Sequence, residues 1–296
     1  MINRICKVTA QIALVGAVLF LVGCHSDMTG VLNPKGIITY QERQLLFDAV
    51  ALMLIVVIPV IIMSFAFIYR YHQSHSGRDY RPNWSHNVLL ESIWWGVPCV
   101  IIVILGIMTW HMSHKLDPYR PIDGVEGEPL KVQVVALPWK WLFVYPEQDI
   151  ATVNYLELPK GRQVAFELTS DNVPMSAFFV PQIGSQIYTM ARMKTQLHLV
   201  ATETGTFKGL NSQYNGDGFS DMHFPVKVVE PAELDEWFQK VKSESKPLSE
   251  DKYNLLRQPS IAAPAQYFSG VTPNLFKRVI KSYKLSEHPS KLAATA

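Results

Sequence analysis

Four groups of residues in this sequence are of types that do chemistry. The first is a carboxylate in an apolar setting, Glu91, which opens the run Glu91-Ser92-Ile93-Trp94-Trp95-Gly96-Val97-Pro98. A charged group at membrane depth is expensive unless it faces water or a partner, which makes Glu91 a candidate for proton handling. A glutamate snorkelling to the interface beside two belt tryptophans reads equally well from position alone. The second is Cys24, a thiol that closes the motif Leu21-Val22-Gly23-Cys24. The third is the aromatic group Trp139-Lys140-Trp141 with Tyr145 behind it, large side chains of the kind a β-sandwich core needs. The fourth is a scatter of potential metal ligands, His198, His223 and Met175, with no cysteine to join them. The three cysteines are Cys6, Cys24 and Cys99. Beyond residue 99 the chain therefore has neither a disulfide framework nor a thiolate metal site.

The elements that position these groups fall into distinct stretches. Of all residues 48% are hydrophobic and only 18% charged, against about 25% charged in an ordinary soluble domain. The deficit sits in the first 110 residues. The net charge of +2 gives no footprint for nucleic acid. Arg4 and Lys7 precede apolar residues 8–22, which end at Gly23-Cys24, the layout of a secretory signal peptide. This run is shorter than the ~20 residues of a spanning helix. An uncut first transmembrane helix with a buried Cys24 is the alternative. The motif at residues 21–24 resembles the lipobox of bacterial lipoproteins. That resemblance implies cleavage after residue 23, acylation at Cys24 and an anchor in the outer leaflet of the inner membrane.

Residues 24–44 then form a periplasmic N-terminal segment. A transmembrane hairpin is expected over 45–111, with spans at about 45–69 and 88–110 and a loop at 70–87. Each span contains a proline, Pro59 or Pro98, tolerated where neighbours re-satisfy the freed carbonyl. The loop carries Arg70, Arg78 and Arg81 against Asp79 alone, which places it in the cytoplasm and both ends of the mature chain in the periplasm. Asp48 reads as an interfacial residue near a helix N-terminus, where negative charge is favoured.

From about residue 125 to 231 short segments alternate apolar and polar residues: 131–134, 164–168, 197–199 and 226–228. Turn-formers such as Pro159-Lys160-Gly161 and Asn215-Gly216-Asp217-Gly218 separate them. This is the pattern of a β-sandwich or barrel. His198 falls on the polar phase of its strand and reads as a surface residue. Over 232–296 the pattern turns helical. Leu234, Trp237, Phe238 and Val241 share one face and Leu275, Phe276, Val279 and Ile280 another, with a polar linker between them. This predicts a helical arm packed on the sandwich or on a partner, then a disordered tail.

Along nearly its whole length the chain resembles subunit II of the haem–copper oxidases. The resemblance implies a membrane-anchored α+β protein: a two-helix transmembrane hairpin, a periplasmic cupredoxin-like β-sandwich and a C-terminal helical arm. The family's dinuclear copper centre uses a His ahead of a Val-Pro segment, then Cys-x-x-x-Cys, a His and a Met. Those positions fall here on Ser176, Gln213, Asp217, Asp221 and Phe224. His223 is out of register, and Met175 beside the vacant His position cannot assemble the site alone. Soft thiolates are needed to hold a copper pair, so the resemblance implies a copper-free member. Residues 178–188 and 216–220 are similar to the ubiquinol-oxidising branch of the cytochrome bo type.

That branch implies a subunit of a proton-pumping ubiquinol oxidase that binds no cofactor itself. Haems and one copper are expected in subunit I, with subunits III and IV and membrane lipid as further partners and no role for cytochrome c. The family motif Glu-x-x-x-Trp-x-x-Pro, met here by Glu91, Trp95 and Pro98, implies that Glu91 marks the mouth of a proton pathway into subunit I. The competing expectation is a non-catalytic inner-membrane lipoprotein with a degenerate cupredoxin domain used for binding or assembly. A nucleophilic enzyme is disfavoured by the absence of any nucleophile elbow.

Overall fold

The computed structural model describes residues 30–72, 85–173 and 175–282. The expected signal peptide, Cys24, loop residues 73–84 and the tail from 283 lie outside the described residues.

The two apolar runs form helices α1 (Ile37–Arg70) and α2 (Val88–Lys115). Both are long and apolar enough to cross a membrane. Their Val- and Ile-rich sequences have no strong helix propensity, but in lipid every backbone group must be satisfied within its own segment. Ser64 and Ser92 hide their hydroxyls the same way, donating to the carbonyls four residues back, Val60 O at 2.7 Å and Val88 O at 2.8 Å. Most apolar side chains on both helices are exposed, a surface that needs lipid or protein cover.

α1 starts well before the expected residue 45. Polar residues Thr39, Gln41, Glu42 and Arg43 break the apolar pattern there, yet their turns dock on the sandwich instead of ending the helix. The preceding residues join the sheet. Gly36 is extended and bridges Ala201, Ile37 N donates to Val200 O (3.2 Å), Thr202 N to Lys35 O (2.8 Å) and Lys35 N to Gln182 O (2.6 Å). A Cβ at Gly36 would lie 2.0 Å from Ile183 O, so only glycine allows this approach. The Glu42 carboxylate accepts from Ser185 Oγ, and Lys35 pairs with Glu203 at 2.5 Å.

α2 also overruns its expected end at 110, and the chain beyond it is tied down. Ile122 N donates to Gln163 Oε1 (3.2 Å), and the His198 Nδ1 atom lies 3.1 Å from Pro118 O. His198 is thus half-buried under the connector from α2 and not the surface residue its strand phase predicts. The strand pattern cannot see a segment that packs over it from elsewhere in the chain.

Among the described residues eleven strands form two sheets: β1 (Leu130–Leu137), β2 (Lys140–Tyr145), β3 (Ile150–Val153), β4 (Leu156–Pro159), β5 (Val164–Ser170), β6 (Met175–Phe179), β7 (Ile187–Met190), β8 (Thr195–Leu199), β9 (Gly205–Asn211), β10 (His223–Val229) and β11 (Gln266–Phe268). The six-stranded sheet runs β11-β3-β2-β1-β5-β8 and the five-stranded sheet β4-β10-β9-β6-β7. The β1–β5 and β4–β10 pairs are parallel and the rest antiparallel.

β2 explains how the arm attaches. Trp141, Phe143 and Tyr145 face the main core between the sheets, while Leu142 and Val144 face a second cluster beneath the arm. A strand buried on both faces loses its polar alternation, which is why this segment has no period-two signature. In the arm, α3 (Pro231–Glu244) sends Leu234, Phe238 and Val241 into the main core. Each contributes roughly 1.5–3 kcal/mol when fully buried.

The expected polar linker is in fact structured. It holds helix α4 (Glu250–Leu256), capped by Ser249 Oγ accepting from Lys252 N (3.3 Å), and edge strand β11, which pairs with β3. Helix α5 (Leu275–Ser282) completes the arm. Tyr253, Leu256, Phe268, Leu275, Phe276 and Val279 build the second core cluster. α4 and β11 carry too few apolar residues each to give a periodic signal, and their burial is decided by the sheet they land on.

Candidate functional site

Glu91 sits in the first turn of α2. Asn87 caps this helix, its Oδ1 accepting from Leu90 N at 3.1 Å, and Glu91 N donates to Asn87 O at 3.0 Å. Glu91 is half-buried, while Trp94 and Trp95 are exposed. Spacings of four and seven residues put Glu91, Trp95 and Pro98 on one helix face. A carboxylate here gains from the helix dipole and presents a proton-accepting group beside a face left open to a partner. Asp48, expected at the start of its span, lies more than two turns inside α1 and is exposed.

The five positions that resemble copper-ligand sites lie on β6, on β10 and in the loop between β9 and β10, and none of them carries a sulfur or imidazole group. Ser176 on β6 is fully buried, and its Oγ accepts from Asn215 Nδ2 at 3.3 Å. The same Asn215 Nδ2 lies 3.3 Å from Met222 Sδ. At Gln213 the backbone is pinned by Asn211, whose Oδ1 accepts from Gln213 N (3.1 Å) and whose Nδ2 donates to Gln213 O (2.7 Å). Asp217 is exposed, and Asp221 Oδ2 accepts from Ser220 Oγ at 3.2 Å. Phe224 belongs to the aromatic core, stacked on Phe178 with ring centroids 5.8 Å apart. His223 is exposed on β10. Oxygen donors, an amide and a phenyl ring do not fit a mixed-valence copper pair.

Sequence reasoning took Asn215 only as a turn-former and missed its role as the residue that closes this loop onto β6. The Asn-Gly-Asp-Gly run is its only signal.

The three aromatic candidates lie in three different surroundings. Trp141 is in the main core, edge-on to Phe178 at 5.6 Å and Phe224 at 6.0 Å. Tyr145 is also buried but packs on the arm, against Trp237 (5.8 Å) and Phe238 (5.3 Å) of α3. Its hydroxyl donates to Glu157 O (2.8 Å), and burial pushes its ionisation well above the usual tyrosine range. Trp139 alone touches the loop. It adopts φ 60°, donates from Nε1 to Asn215 O (3.2 Å) and lays its ring on Gly218, where a Cβ would come within 2.5 Å.

The arm is held by polar anchors that no sequence motif marks. Lys140 is buried, and its Nζ donates to Leu256 O (3.0 Å) and Gln258 O (2.6 Å), while burial holds its ammonium below the usual range. Asn154 Oδ1 accepts from Trp141 N (2.8 Å), and its Nδ2 donates to Ala263 O (2.8 Å).

Fold and site together define a membrane-anchored protein whose helical hairpin carries a cupredoxin-like sandwich buttressed by its own C-terminal arm. Residues 242–284 of that arm match the family model described as the COX Aromatic Rich Motif. Over 266 residues the chain is 49% identical to cytochrome bo(3) ubiquinol oxidase subunit 2 of Pseudomonas aeruginosa, covering 90% of this chain and 79% of that one. It is 43% identical over 282 residues to ubiquinol oxidase subunit 2 of Acetobacter aceti, covering 95% and 90% respectively. The solved periplasmic domain of cytochrome oxidase subunit II of Bradyrhizobium japonicum aligns with 40% of this chain and 98% of that domain, at 21% identity and a TM-score of 0.38. The chain belongs to the family of cytochrome bo(3) ubiquinol oxidase subunit 2.

Proposed function

We propose that this chain is the non-redox second subunit of an inner-membrane complex that oxidises ubiquinol, reduces oxygen to water and moves protons outward. In this reading the hairpin docks on subunit I, where the haems and the catalytic copper reside, and the sandwich caps the periplasmic side. Subunits III and IV complete the assembly, and acyl chains on Cys24 fix the mature N-terminus to the outer leaflet. A quinol delivers electrons within the membrane, so a periplasmic copper relay has no task.

The observation that carries the copper-free part is the donor set. Ser176, Gln213, Asp217, Asp221 and Phe224 stand where two thiolates, two imidazoles and a thioether would be needed, and no cysteine lies beyond residue 99. Glu91 is given the proton-entry role because its carboxylate shares a helix face with Trp95 and Pro98 near the end of the span that the arginine-bearing loop assigns to the cytoplasm.

The test is oxygen uptake by the detergent-purified complex captured through this chain, with ubiquinol or reduced cytochrome c as donor. Uptake with ubiquinol and none with cytochrome c is expected. A haem-free preparation inactive with both donors would instead support the non-catalytic lipoprotein.

A further inference from the structure

Two methionines meet on the outer face of the five-stranded sheet, and a third follows in the turn after β7. Met175 and Met190 are directly opposed across the β6–β7 pair, so their side chains leave the same face with Cβ atoms roughly 4.5–5.5 Å apart. The adjoining pair, Ser176 and Thr189, is fully buried on the inner face. The methionine pair therefore points outward, and both residues are half-buried. β7 then ends in a turn in which Met193 N donates to Met190 O at 3.3 Å, with Arg192 at φ 65°. That turn brings the backbone of Met193, a residue 49% exposed, against the end of β7.

Packing does not account for this grouping. None of the three belongs to either core cluster, and the outer face of a sheet edge ordinarily carries polar side chains. Thioethers are soft and uncharged. They are poor ligands for hard divalent ions and good ones for Cu(I), and their flexible stems let three sulfurs turn toward one point.

We propose that Met175, Met190 and Met193 form a thioether site for a single cuprous ion. It is separate from the family's lost dinuclear centre, since Ser176, one residue along β6, points to the opposite face. It is also independent of which donor the complex oxidises. Thioether ligands carry no proton to lose, so binding should be flat with pH, whereas sites built on thiolate or imidazole weaken in acid.

The test compares the native complex with the variant M175L/M190L/M193L, in which each change nearly conserves volume. Cu(I) is supplied with a competing chromogenic Cu(I) chelator, and Ag(I) serves as a redox-inert probe. The native complex should hold one more equivalent of Cu(I) than the variant, with affinity unchanged between about pH 5 and pH 7.5 and sulfur-only coordination in X-ray absorption. Equal stoichiometry in the two proteins, or nitrogen and oxygen neighbours around the metal, would overturn the site. If the triple variant does not assemble, the exposed Met193→Leu substitution alone decides. Losing a ligand should cost at least the roughly tenfold that loss of a second-shell partner costs, and an unchanged affinity would reject the proposal.

Discussion

Arg257 Nη2 donates to Asp171 Oδ1 at 3.1 Å, and Arg257 Nε stands 2.9 Å from Oδ2 as an ion pair. Asp171 lies just beyond β5 and is 2% exposed; Arg257 follows α4, some 86 residues on. Tyr253 donates its hydroxyl to the same carboxylate at 2.6 Å. One buried acid thus joins the sandwich to the arm that carries the aromatic-rich motif.

Replacing Asp171 with Ala strands the Tyr253 hydroxyl and leaves Arg257 without its partner. Breaking a fully buried pair costs about 3–5 kcal/mol. The Arg257 side chain is partly exposed, so a loss of about 2–3 kcal/mol is expected, lowering the melting temperature by about 5 °C or more. Hydrogen exchange should speed up first in α4 and α5. Unchanged exchange there would show that the arm is held by its apolar contacts alone.

Glu91→Gln keeps the size and the helix start but removes the proton-carrying group. Turnover with ubiquinol should fall by about tenfold or more, less than the 10²–10⁴ typical of a group acting in the transition state. Subunit composition and haem content should stay unchanged. Normal proton-coupled turnover in this variant would remove Glu91 from the pathway.

Burial raises the ionisation of Tyr145, and that of Tyr253, where Asp171 adds to the effect. The folded state therefore holds both protons at pH values where the unfolded chain releases them, above about 10. Their contribution is complete below that pH and declines as pH rises further, by about 1.4 kcal/mol per pH unit for each tyrosine. Absorbance titration should show a late group of tyrosines that ionises only as near-UV circular dichroism collapses. Smooth ionisation of every tyrosine near pH 10 would contradict this burial.

Gly36→Ala drives a methyl group into Ile183 O and should cost about 1–3 kcal/mol by overpacking. The damage should be local. Amides of Ile37 and Thr202, which bond Val200 O and Lys35 O, should exchange faster while those of β1 and β5 do not. Equal acceleration across the whole sandwich, or no change at the junction, would mean that α1 is not seated on the sandwich through this bridge.

The two apolar spans, four of the strands, both amphipathic helices of the arm and the lack of any thiolate beyond residue 99 are legible along the chain without its fold. These follow from local composition, period or the plain absence of a residue type. What lies opposite what was settled only by tertiary structure. β2 is buried on both faces and so has no alternation to read. The first turns of α1 look polar because their polar groups face the sandwich and not lipid. α4 and β11 are too short to show a period, and only their neighbours bury them. Asn215 closes the Ser176 loop, Lys140 and Asp171 hold the arm, and Met175 meets Met190 because pairing register brings distant residues face to face. Register is a long-range property fixed by the whole set of buried side chains at once, so no window of the chain contains it.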